Sequence, residues 1–80
     1  MNTEHLIEMA NQIGDFFASM PDREQALADI AEHIRRFWEP RMRRAILASL
    51  DEPAASESMS PIVREALTRA RETLTPKAAA

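Results

Sequence analysis

The 80-residue chain has no cysteine, no tyrosine and a single glycine, Gly14. Without cysteine it can form neither disulfides nor Cys-ligated zinc or iron–sulfur sites. One glycine is too few for either phosphate-cradling loop, GxGxxG or GxxxxGK[ST]. The two histidines, His5 and His33, lie far apart without an HxxxH spacing, so they gather no metal and support no Ser-His-Asp arrangement. His5 reads as a solvated first-turn residue, and His33 as a hydrogen-bonded residue at the edge of an apolar face. Apolar runs are short, as in Ile46-Leu47-Ala48, against the roughly 20 residues that a membrane span requires, so no membrane helix is expected. The start, Met1-Asn2-Thr3-Glu4, has no basic n-region followed by an apolar run, so no secretory signal is expected and the cytoplasm is the default location.

A chain this short buries only about 60–65% of the surface its unfolded form exposes, which leaves a marginal core and favours support by association, including self-association. The net charge of −3 is unevenly placed. Residues 1–34 set seven acids (Glu4, Glu8, Asp15, Asp22, Glu24, Asp29, Glu32) against Arg23, a net of −6. Residues 35–44 set five arginines against Glu39, a net of +4. The positive charge is therefore concentrated around the one tryptophan, Trp38, and Pro40.

Helical periodicity dominates the pattern. Leu6, Met9, Ala10, Ile13, Phe16, Phe17 and Met20 fall within roughly a 120° arc of a helix over 3–20, with Thr3 as its N-cap and Pro21 closing it. Met9, Phe16, Phe17 and Met20 are expected in the core. Asp22 and Gln25 have the spacing of a capping box for a second helix over 22–38. Its residues Ala26, Leu27, Ile30, Ala31, Ile34, Phe37 and Trp38 fit within about 140°. The short connection makes these two an antiparallel hairpin. Pro40 restarts the chain as a third helix over 40–51, with Met42, Ala45, Ile46, Leu47 and Leu50 apolar.

Residues 51–59, DEPAASESM, read as a flexible connector. Ser60 as N-cap and Pro61 at the first helical position begin a fourth helix over 61–74, with Ile62, Val63, Ala66, Leu67, Ala70 and Leu74 along one stripe. Residues 75–80 read as a disordered tail. The expected fold is all-α: one small domain, a helical hairpin extended by two further helices, about four in total. Whether helix 61–74 packs on the hairpin or is held by a partner is left open.

Acids recur at helical spacing, as in Glu4 with Glu8 and Asp29 with Glu32, but they lie off the apolar arcs and read as a solvated face rather than a di-metal site. No catalytic residue, metal ligand or cofactor-binding residue is expected. The run from Arg35 to Arg44 carries the functional signal. Its arginines could pair with the acids of the first two helices, meet an acidic protein partner, or contact nucleic acid. The preferred reading is a partner-binding surface of Arg35, Arg36, Trp38, Pro40, Arg41, Met42, Arg43 and Arg44, since arginine, tryptophan and methionine are the types enriched at interfaces. The net negative charge argues against nucleic acid.

Three segments in this order, MANQIGDFF (9–17), IAEHIRRFWEPRMR (30–43) and SPIVREAL (60–67), resemble the delta subunit of NAD-dependent formate dehydrogenase. Ser60 departs from the family's pattern, where aspartate often precedes the proline, and Ser49 stands where a larger polar residue is common. The resemblance implies a bacterial accessory subunit of the cytoplasmic molybdenum- or tungsten-containing enzyme. The larger subunits of that enzyme hold the pterin, iron–sulfur clusters, flavin and NAD site. It implies a cofactor-free chain with no catalytic residues that supports assembly or stability, with the catalytic subunit as the expected partner. A transient maturation chaperone for that subunit or its pterin is the alternative, and a small nucleic-acid-binding helical protein a lesser one.

Overall fold

A computed structural model describes residues 2–77, which fold into six helices: α1 (Thr3–Ala18), α2 (Arg23–Phe37), α3 (Pro40–Ser49), α4 (Pro53–Ser58), α5 (Pro61–Arg69) and α6 (Arg71–Leu74). The fold is all-α among these residues.

Local chemistry accounts for most helix ends. Asn2, not Thr3, caps α1: its Oδ1 accepts the amides of Glu4 (2.9 Å) and His5 (3.3 Å). Met20 N–H donates to the Phe17 carbonyl as Pro21 stops propagation. Asp22 caps α2 through Glu24 (3.0 Å) and Gln25 (3.3 Å), but only half of the expected box forms. Gln25 Nε2 points along the helix instead and donates to Asp29 Oδ1 at 2.8 Å. Trp38 and Glu39 are extended before Pro40, which opens α3 as its first residue. Beyond Ser49 the chain tightens through i→i−3 bonds from Leu50, Asp51 and Glu52, so the helix expected to reach 51 ends in a narrower turn.

Residues 51–59, expected as a flexible connector, contain α4. Pro53 takes its first position, Ala54 and Ala55 favour the helix, and Ser56 N–H closes the turn on the Glu52 carbonyl at 2.8 Å. Helix 61–74 is divided at Ala70 (φ −97°, ψ 11°) with no glycine or proline to mark the break. The division leaves Leu74 fully buried and Arg71 bonded to Asp51 at 2.6 Å. Of the expected tail, 75–77 follow α6, while 78–80 lie outside the described residues.

One core cluster draws on α1, α2, α3, α5 and α6, with Met59 from the α4–α5 junction. Ile30, Ile34, Ile46, Val63, Leu67 and Leu74 are fully buried. α1 and α2 pack together across the 19–22 connection, but α5 also lies against both, and α6 packs on α2. The fourth helical segment is therefore part of the core and not a separately held arm.

The buried face of α1 is turned away from the expected arc. Leu6, Ile7, Ala10 and Gly14 face the core, Met9, Ile13, Phe17 and Met20 pack partly against it, and Phe16 is 73% exposed. Gly14 sets this rotation, since a Cβ there would lie 2.6 Å from Val63 Cγ2. Only glycine lets α1 approach the first turn of α5 so closely. Phe37, expected in the buried arc of α2, is likewise 68% exposed, because the inward stripe runs through Ala26, Leu27, Ile30 and Ile34.

Candidate functional site

The five arginines between 35 and 44 do not act alike. Arg35 is bound to Glu32 on its own helix, Nε to Oε1 at 2.9 Å and Nη2 to Oε2 at 2.6 Å. That bidentate bond holds the Glu32 carboxyl below its ordinary pKa and raises that of Arg35. Arg36, Arg41, Arg43 and Arg44 form no ion pair among the described residues. The other pairs among the described residues lie elsewhere: Arg23 to Glu65 (2.7 Å) and Arg69 to Glu24 (2.6 Å) join α2 to α5, Arg69 to Glu65 (2.6 Å) lies within α5, and Arg71 reaches Asp51 in the turn after α3. Arg35 thus covers an acid of α2, while the other four arginines of the corner pair with none of the acids of α1 and α2 among the described residues.

Trp38, expected both in the apolar arc of the second helix and as an anchor of the partner surface, is a core residue with 5% exposure. It continues the Ala26–Ile30–Ile34 stripe by four residues, with its N–H donating to the Ile34 carbonyl, and joins the core at the corner between α2 and α3. Met42 packs partly on the same core, and Pro40 is exposed at the start of α3. Arg41 and Arg44 are exposed, while Arg43 is half-buried with an Nε that has no partner. The outward-facing part of the predicted set is therefore Arg35, Arg36, Pro40, Arg41 and Arg44.

Beside this corner runs a row of aromatic rings absent from the predicted set. Phe16 meets Phe17 edge-on with centroids 5.0 Å apart, Phe17 faces His33 at 6.4 Å, and His33 lies 4.8 Å from Phe37. The Arg36 guanidinium carbon stands 5.7 Å from the Phe37 centroid, within cation–π range. His33 is half-buried with aromatic neighbours on both sides, a different setting from the hydrogen-bonded one expected; His5 is exposed. Below the row is a groove of about 390 Å³ with Met9, Ile13 and Trp38 in its wall. The exposed ends of the row, Phe16 and Phe37, are the large apolar side chains left outside among the described residues. Periodicity misses them because the apolar residues of each helix wrap further round it than the buried stripe does.

A second residue that sequence reading misses is Asn11. Its Nδ2 donates to the Ser58 carbonyl (3.0 Å) and its Oδ1 accepts the Ser60 amide (2.9 Å), clamping α1 to the α4–α5 junction. Ser60 therefore precedes Pro61 as expected but does not cap α5 with its side chain, and its Oγ is buried without a partner beside Gly14. Ser49 is also buried, with its hydroxyl donated to the Ile46 carbonyl at 2.6 Å.

Among the described residues no group of three or more His, Asp or Glu side chains is placed to hold a metal ion, and no helix is long and apolar enough to cross a membrane. The surface is suited to contact: rings flanked by guanidinium groups offer apolar area and charge-assisted hydrogen bonds side by side.

No curated protein and no solved structure matches the chain. A family model described as "NADH-dependant formate dehydrogenase delta subunit FdsD" matches residues 5–67, a span that contains the arginine corner, the aromatic row and the Asn11 clamp. That match covers most of the chain, and the protein belongs to the family of formate dehydrogenase delta subunits.

Proposed function

We propose that this protein is a non-catalytic accessory subunit that binds and stabilises a cytoplasmic NAD-dependent formate dehydrogenase, with the catalytic subunit as its partner. The observation that carries the reading is the arginine corner: Arg36, Arg41, Arg43 and Arg44 have no ion pair within the described chain, although the same fold pairs Arg23, Arg69 and Arg71. Free guanidinium groups match carboxylates and carbonyls of a protein partner. Family membership supplies the complex in which such a partner is found.

Co-expression of the tagged full chain with the larger formate dehydrogenase subunits tests this. The chain is expected to co-purify with them in fixed ratio, and the combined variant R36A/R41A/R44A to co-purify less. Failure of the unaltered chain to co-purify refutes the reading. Its presence in immature enzyme only, and absence from active enzyme, would replace a permanent subunit by a maturation chaperone.

A further inference from the structure

The aromatic row adjoins the arginine corner at Arg36 and crosses from α1 to α2. Its ends, Phe16 and Phe37, are 73% and 68% exposed. Two phenylalanines left in water on so small a chain forgo the stabilisation that apolar burial brings. Their neighbours are already packed, so the rings cannot close inward without displacing Phe17 and His33.

The geometry narrows what can cover them. The described chain has no strand and hence no sheet edge for an extended peptide to join. A groove between two helices instead accepts a third helix, apolar side first. Ring-to-ring separations of 5.0, 6.4 and 4.8 Å make the four rings one continuous apolar patch across α1 and α2. A helix laid on that patch presents its apolar stripe, whose residues recur at i, i+4 and i+7. Charge fixes its flanks. Arg36 stands over Phe37 at one end with no carboxylate of its own, whereas Asp15 is exposed beside Phe16 at the other. A second copy of this chain fits poorly, since α1 and most of α2 belong to the segment of net −6 and would face their own kind.

We infer that the Phe16–Phe17–His33–Phe37 row seats an amphipathic helix of a larger formate dehydrogenase subunit, whose apolar i, i+4, i+7 stripe lies on the rings and whose carboxylate meets Arg36. The inference rests on the accessory-subunit reading and adds the seat and the form of the bound segment.

The test uses the full chain and the purified larger subunits. Phe16→Ala and Phe37→Ala, at exposed sites, keep the thermal midpoint of the isolated chain, and each weakens binding about thirtyfold or more. Arg36→Glu weakens it further than Arg36→Gln does. A photo-crosslinking residue at position 16 or 37 captures a segment with apolar residues at i, i+4 and i+7 and an Asp or Glu alongside. If the unaltered chain binds and both phenylalanine variants bind equally well, the seat is refuted while the accessory role stands. If the unaltered chain does not bind, the accessory role falls and the seat with it. Crosslinks to a second copy, or to a segment without that pattern, also overturn the inference.

Discussion

Replacing Gly14 by alanine sets helix propensity against packing. In a helix interior the change gains about 1 kcal/mol, because alanine loses less backbone entropy on folding. The added methyl, however, would sit 2.6 Å from Val63 Cγ2, 3.3 Å from Ile62 Cγ2 and 3.4 Å from Ser60 Oγ. Val63 is fully buried and β-branched, with little rotameric freedom to yield. Forcing an extra carbon into such a site costs roughly 1–3 kcal/mol, so the net expectation is a loss of about 1 kcal/mol and a midpoint lower by roughly 4–8 °C. The sign should depend on Val63. Val63→Ala alone costs roughly 2 kcal/mol for the lost burial and the cavity it leaves. In that background the methyl at 14 has room, and Gly14→Ala should stabilise by about 1 kcal/mol. The coupling is then about 2 kcal/mol, well above the roughly 0.5 kcal/mol within which independent sites add. Urea titrations of the four proteins, followed by the fluorescence of the single Trp38 and by helical circular dichroism, measure it. A stabilising Gly14→Ala in the unaltered chain, or the same effect in both backgrounds, would refute the close approach of α1 to α5.

Asn11→Ala removes both bonds to the α4–α5 junction and leaves the Ser60 amide without its acceptor, so a loss of roughly 1–3 kcal/mol is expected, with hydrogen exchange quickened at Ser60 before the core. Arg71 holds the Asp51 carboxyl below its ordinary pKa, and Arg23 with Arg69 does the same for Glu65. At these two carboxyls the folded chain thus binds fewer protons than the unfolded one in the acid range. This stabilisation is complete above the ordinary carboxylate pKa values and is lost as pH falls through the lowered ones. Asp51→Asn should flatten the acid limb of a stability–pH profile, and an unchanged limb would exclude the pair as its source. Trp38→Ala should cost about 3–5 kcal/mol in the isolated chain, whereas Phe37→Ala, one residue earlier, should stay within about 0.5 kcal/mol. Thermal melts that rank the two in the opposite order would mean that the inward and outward residues of the corner are assigned the wrong way round.

The elements legible in the sequence are those governed by neighbours along the chain. Asp22, Pro40 and Pro61 mark helix starts because capping and the geometry of proline act within one turn. The apolar stripe of 61–74 was readable for the same reason, and Ile62, Val63, Ala66, Leu67 and Leu74 are all buried. Asn11 was not readable, since its partners lie 47 and 49 residues away and an exposed-looking amide on a helix gives no sign of them. Nor was the rotation of α1. Counting apolar residues draws the buried arc toward Phe16, whereas the contact with Val63 is made by Gly14, which carries no hydrophobic side chain to count. At the corner the sequence placed both Phe37 and Trp38 in the apolar arc of the second helix, and the narrower buried stripe of Ala26, Ile30 and Ile34 continues at the same spacing to Trp38 and leaves Phe37 outside.

That choice bears on how the surface could work. A surface anchor is effective when it is held in place before binding, since ordering a free side chain offsets about 0.5–1.5 kcal/mol of the gain. Trp38, fixed in the core, holds the end of α2 and thereby positions Phe37 and Arg36, which it follows by one and two residues. His33 and Phe17 limit the rings from the other side. The tryptophan expected as the point of contact is better placed as the support beneath it. Substituting Trp38 should therefore weaken partner binding by disordering the corner and lower the melting temperature at the same time, whereas substituting Phe37 should weaken binding alone.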